Sequence, residues 1–202
     1  MKLSEKYING LKKAYSDNHS EKEWEHFESV KHGALKEDIQ KIREEYPDVP
    51  DSLTELLEYA DGTYHREYEG EKITVYFFGS DIDDWGYPYY LFSCAQIIEN
   101  KNSADDFSDY IERLYEDSVA VTDGRITDRA DTAKWLNFSD CMNNGGTSSL
   151  FIDFTPSESG KAGQIIRFLH DPDEFTVIAD SFDDYLQLLM DKGYGFIGEI
   201  TV

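Results

Sequence analysis

The chain has 202 residues, 40% of them hydrophobic, with 14 tyrosines and 12 phenylalanines, which is enough for a sizeable core and too apolar for a disordered acidic tail. Its 42 acidic residues against 19 basic ones give a formal charge of -23, which repels nucleic acid and anionic membrane and favours a basic partner. Two cysteines outside any C-x-x-C pair, no apolar run of spanning length and no hydrophobic stretch behind Met1 lead to the expectation of a cytoplasmic protein without disulfides.

Leu3, Tyr7, Leu11 and Ala14 recur at helical spacing, which predicts a helix ending near Asp17 and Asn18. Ser20 and Glu23 match a capping box ahead of a second helix carrying Trp24, Phe27 and Val30. Leu35, Ile39, Ile42 and Tyr46 form a third stripe, stopped by Pro47. His19, His26 and His32 fall in this region without metal-ligand spacing and read as solvated or partly buried side chains. A fourth helix runs from Pro50, with Ser52 as its expected cap, to Asp61-Gly62.

The period then changes to two. Tyr64, Arg66 and Tyr68 alternate, Glu69-Gly70-Glu71 can turn, and Ile73, Val75 and Phe77 alternate again, which predicts a β-hairpin. Asp81-Ile82-Asp83-Asp84-Trp85-Gly86 starts like a calcium loop, but Trp85 stands at its fifth position and Phe92 where the closing Glu belongs. The stretch instead reads as a loop displaying Asp81, Asp83, Asp84, Trp85, Tyr87 and Tyr89. A strand over Pro88–Phe92, a short helix at Ala95–Glu99 and a helix over Phe107–Tyr115 are expected next, and residues 117–132 read as a polar surface excursion within the domain.

From Trp135 to Met190 the chain is the most strongly patterned. Strand-like runs separated by Gly, Asn, Ser and Pro predict an antiparallel meander, followed by a helix that Ser181 can cap. Asp153, beside an apolar strand, needs hydrogen-bond donors that loop amides could supply. The tail, Tyr194 to Val202, alternates and is expected to add an edge strand. Nucleophile-elbow, P-loop, dinucleotide and H-E-x-x-H motifs are absent, and His170-Asp171 reads as a strand end before a turn rather than part of a catalytic set.

The ordered set of pieces resembles the SUKH superfamily, the Smi/Knr-type group of fungal cell-wall-assembly regulators and bacterial immunity proteins. The pieces are Pro50 through Asp61-Gly62, Trp135-Leu136-Asn137-Phe138, Gly145-Gly146, Leu150 through Asp153, Pro156, Gly160, Gly163-Gln164, His170-Asp171 and Ser181-Phe182. The resemblance covers about Ile39 to Lys192 and leaves out residues 117–132 and roughly the first thirty. It implies a single α+β domain, mostly an antiparallel twisted sheet packed by several helices, over residues 35–202, preceded by a helical extension over 1–34.

Trp135, Gly145, Gly146, Asp153, Gly160, Gly163, Gln164, Ser181 and Phe182 are the expected fold-specifying residues. The resemblance also implies a non-enzymatic immunity or antitoxin-type protein that neutralises a protein toxin, expected to be a nuclease with a basic cleft. The alternative is a regulatory scaffold that binds a cellular enzyme. The candidate contact residues are Asp81, Asp83, Asp84, Trp85, Tyr87 and Tyr89, with Asp171 and Asp173 as a second patch. No cofactor, metal, nucleic-acid partner or membrane attachment is expected.

Overall fold

Four helices open the chain because four apolar stripes follow one another at helical spacing. Helix α1 (Leu3–Asp17) buries Tyr7, Leu11, Ala14 and Tyr15, and α2 (Glu21–Val30) buries Trp24 and Phe27. Helix α3 (Lys36–Glu45) buries Ile39 and Ile42, and α4 (Asp51–Tyr59) buries Leu53, Leu56 and Leu57. The computed structural model describes residues 1–73, 75–102, 104, 108, 111, 120–121, 124–141, 148–170 and 173–200.

Ser20 and Ser52 do not cap as expected. Ser20 stands at the N-cap of α2 without a side-chain bond, while Ser52 lies inside α4 and donates to Asp183. Glu55 on α4 accepts from Ser4 and pairs with Lys2 at 2.7 Å, so α4 is tied to α1 by polar contacts as well as by packing.

Strands β1 (Glu67–Tyr68) and β2 (Glu71–Lys72) make a minimal hairpin, with Glu69 and Gly70 both at positive φ, as a two-residue turn of matching twist requires. The expected long second strand does not form. Ile73, Val75 and Phe77 are buried as their alternation predicts, but the ladder begins only at β3 (Phe78–Ser80). The backbone before it finds other partners: the Tyr15 hydroxyl bonds both the N–H and the C=O of Tyr76, and the Tyr7 hydroxyl donates to the carbonyl of Phe77 at 2.5 Å. Side chains of α1 thus satisfy groups that a neighbouring strand would otherwise take.

Strand β4 (Tyr87–Leu91), helix α5 (Cys94–Glu99), β5 (Ala120–Val121), β6 (Trp135–Cys141), β7 (Ser148–Asp153), β8 (Gln164–Leu169), β9 (Glu174–Ala179) and α6 (Phe182–Asp191) complete the fold. The main sheet has the order β3-β4-β6-β7-β8-β9-β5. All its pairings are antiparallel except that of β5 with β9. The architecture is therefore the expected α+β domain with a mostly antiparallel sheet.

Alternation sends residues to two cores. Leu136, Phe138, Leu150, Ile152 and Ile165 join the helices in the larger one, whereas Trp135, Phe151, Ile166, Phe168, Phe175 and Val177 form a second on the opposite face. Ile126 and Ala130 are buried in that second core, so the stretch expected to run over the surface partly covers the sheet. Residues 1–34 also share the main core: Trp24 packs on Tyr15 and Phe27, and Phe27 on Phe77, at ring separations of 5.3, 5.4 and 5.8 Å.

The tail differs from expectation. Residues Gly195–Ile200 form a 3-10 turn in which the consecutive Phe196 and Ile197 are both buried, a pattern that one strand against one core cannot make. The helix expected over Phe107–Tyr115 lies mostly outside the described residues, as do Gly145 and Gly146. Among the described residues no helix is long and apolar enough to cross a membrane.

Candidate partner-binding end of the sheet

The hairpins β3–β4 and β8–β9 turn at the same end of the sheet. Ser80 opposite Tyr87 closes the first ladder and Leu169 opposite Glu174 closes the second. Between them, β8 places Arg167 on the helix-facing side, in step with Ile165. Its side chain is only 4% exposed, and its guanidinium grips Asp81 with two parallel bonds, Nε to Oδ1 at 2.6 Å and Nη2 to Oδ2 at 2.9 Å. The same Nη2 pairs with Glu174, and Nη1 is buried without a hydrogen-bond partner among the described residues. Arg167 therefore joins the loop after β3 to the start of β9, where Glu174 follows the candidate Asp173.

The loop after β3 is held down on several sides. Asp83 and Trp85 both have positive φ, 51° and 75°, a conformation that persists in bulky residues only when the surroundings impose it. Trp85 is half-buried with its ring 6.1 Å from that of Tyr185, and the Tyr185 hydroxyl donates to the Gly79 carbonyl at 2.5 Å. Gly79 allows this close approach, because a Cβ there would come within 2.7 Å of both the Trp85 carbonyl and the Phe196 ring.

Asp83 is exposed and Asp81 half-buried, while the side chain of Asp84 lies outside the described residues. Tyr87 is half-buried, 5.8 Å from Tyr89 between ring centres. Tyr89 itself is fully enclosed. Its hydroxyl meets Ser148 Oγ at 2.5 Å, and Ser148 in turn donates to the Phe168 carbonyl. Tyr89 is a support beneath the loop and offers no surface to a partner. Burial pushes its hydroxyl far above the ordinary tyrosine range.

Across the gap, Asp173 accepts from or pairs with His170 Nδ1 at 2.6 Å, while Asp171 and Pro172 lie outside the described residues. Among the described residues no serine completes a relay with His170, and no group of three or more His, Cys, Asp or Glu side chains is placed to hold a metal ion. What this end of the sheet offers is negative charge on a rigid frame: Asp81, Asp83, Asp173 and Glu174, set against the buried Arg167. The frame residue Arg167 was not among the sequence candidates. A signal was present, since Arg167 stands inside the apolar run Gln164–Phe168, where an unpaired cation would be costly.

The other end of β8 carries most of the expected fold-specifying residues. Asp153 is fully buried; its Oδ1 accepts from Thr155 N at 2.9 Å and its Oδ2 from Gln164 Nε2 at 2.9 Å. A loop amide does supply one donor. Burial raises the Asp153 carboxyl to about 6, against the pull of those two bonds. Gln164 also donates to the Arg125 carbonyl at 3.1 Å and accepts from Lys161 N at 3.2 Å. Gly163 N donates to the Asp153 carbonyl at 2.7 Å. A Cβ on Gly160 would fall 2.3 Å from the Arg125 carbonyl, so this turn closes only on glycine. Trp135 packs on Phe151 and Phe175 in the second core, Ser181 caps α6 by accepting from Asp184 N at 3.1 Å, and Phe182 is buried against Phe138.

A tryptophan-led antiparallel meander, a Gly-Gln turn locked to a buried aspartate and a serine-capped closing helix define a SUKH-type α+β domain. A sequence model of the SMI1 / KNR4 family (SUKH-1) matches residues 33–188, and the chain belongs to that family. No curated protein matches the chain.

Proposed function

We propose that the chain is a non-enzymatic immunity protein that binds a toxin, a nuclease with a basic cleft, and blocks its active site. The observation that carries this reading is the acidic end of the sheet, where Arg167 holds Asp81 and Glu174 together beside the exposed Asp83. A frame of this kind presents charge without having to order it on binding, which lowers the entropic cost of association. With a formal charge of -23 it attracts a basic cleft over long range and speeds encounter. Trp85 and Tyr87, both half-buried, are the aromatic groups of the loop that retain surface for a partner. The protein acts in the cytoplasm in this reading, and its two cysteines, Cys94 and Cys141, are both buried.

The test is co-expression with a toxin domain encoded beside this gene. Restored growth and a stable complex are expected. Loss of both would remove the immunity reading for that pair, and a complex with a cellular enzyme in its place would favour the regulatory-scaffold alternative.

A further inference from the structure

Beside β4, three tyrosines from separate segments meet around one carboxylate. Tyr90 on β4 stands directly opposite Asp140 on β6. The Tyr76 and Tyr90 ring centres are 4.6 Å apart at 45°, and those of Tyr64 and Tyr90 are 5.8 Å apart at 64°. Phe92 backs Tyr64 at 5.0 Å, and the exposed His65 ring stands edge-on to Tyr64 at 4.6 Å. The rings are tilted around one another rather than stacked flat, so Tyr64 and Tyr76, both half-buried, keep part of their surface open.

The arrangement is built into the backbone. Tyr76 has its N–H and C=O on the Tyr15 hydroxyl at 2.8 and 3.2 Å. Tyr64 N donates to the Leu91 carbonyl at 3.0 Å, and the Tyr64 carbonyl accepts from Gln96 Nε2 at 3.2 Å. The Tyr90 carbonyl accepts from Ser139 Oγ at 2.5 Å. Asp140 is half-buried and accepts from Cys141 N at 2.7 Å, yet among the described residues no Lys, Arg or His forms an ion pair with it. Burial raises its carboxyl to about 6, against the pull of Cys141 N, the Tyr64 and Ser149 hydroxyls and nearby His65.

We propose that Tyr64, Tyr76, Tyr90 and Asp140 form a second recognition site that takes the cationic head of a lysine or arginine side chain presented by a protein partner. Tyrosine faces carry negative quadrupole density and draw cations within about 6 Å, more strongly where water is excluded. Asp140 supplies the full counter-charge, and a guanidinium can stack on a ring while bonding the carboxylate. Asp140 lies in the row of Ser149 and Phe168, on the opposite face of the sheet from Arg167, and the site rests on the immunity reading only for the source of the cation.

The test titrates the full-length protein, isotope-labelled, with acetyl-arginine amide, acetyl-lysine amide and tetramethylammonium at constant ionic strength, read by NMR. Saturable shifts confined to Tyr64, Tyr76, Tyr90, His65 and Asp140 are expected with the amino-acid amides. They should weaken about tenfold in Asp140→Asn and in Tyr76→Leu, each verified as folded by its amide spectrum, and persist in Asp83→Asn. Shifts spread over the acidic surface, or equal in Asp140→Asn, would overturn the site. Tighter binding of tetramethylammonium than of either amide would overturn the assignment to a protein side chain. The probes contain no toxin, so failure here leaves growth rescue standing, and failure of rescue leaves this titration standing.

Discussion

Strand β8 carries a buried polar network near each end, and the two are built to opposite purposes. At its start, Gln164 and Asp153 are enclosed and bonded largely to loop backbone, Thr155 N, Lys161 N and the Arg125 carbonyl. Three residues later, Arg167 is just as buried, but its partners Asp81 and Glu174 are partly exposed and its Nη1 is left without a partner among the described residues. The first network closes a turn. The second holds acids at a surface. A region whose bonds all point inward constrains nearly every residue in it, whereas a frame that only positions a loop leaves the loop's outward residues free to suit a partner.

If the Trp135–Gln164 region is scaffold alone, damage there should appear as lost stability and nothing else. Trp135→Ala opens a cavity beside Phe151 and Phe175 and should cost about 3–5 kcal/mol by urea denaturation. The surviving folded fraction should bind partner unchanged.

Asp153 sharpens the comparison through pH. Its carboxyl is raised to about 6, so the folded state holds the proton more tightly than the unfolded chain does. The stability this contributes is fully present below the unfolded value near 4 and is lost as pH rises through about 6. Relative to Asp153→Asn, in which nothing titrates at this position, the wild-type protein should lose about 2–3 kcal/mol between pH 4 and 7 in urea melts.

Arg167→Met tests the other network. Removing one partner of a buried pair costs about 3–5 kcal/mol, but Asp81 and Glu174 can rehydrate, so a loss of about 1–3 kcal/mol is expected. Adding Asp81→Asn should recover part of it, because the isolated carboxylate is then neutral. Additive effects of the two changes would mean that the pair is not coupled.

Much of this division was legible in the sequence. The stripes of α1, α3, α4 and α6, the serine cap of α6 and the punctuated strands β6 to β9 carry their own local signal, so local reading finds them. The tail and the segment before β3 alternate like strands but are not, because their partners are remote: Tyr15 and Tyr7 satisfy the backbone at Tyr76 and Phe77, and Phe196 packs against Gly79. The acidic loop was found by composition, but not the fate of its members. Nothing local separates Tyr89, which is enclosed, from Tyr87, which is half-buried. The grip of Arg167 on Asp81 spans 86 residues and depends on which face of β8 each side chain takes.

The smallest expected effect on stability comes from the β3–β4 loop, whose proposed role is to display charge to a partner. Asp83→Asn with Asp84→Asn keeps residue shape and tolerates the positive φ at Asp83, so unfolding free energy should move by less than about 0.5 kcal/mol. The measurement is the association rate constant with the toxin domain encoded alongside, at low and high salt. Association several-fold slower than wild type is expected at low salt, with the two converging as salt is raised. Equal rates at low salt would contradict it.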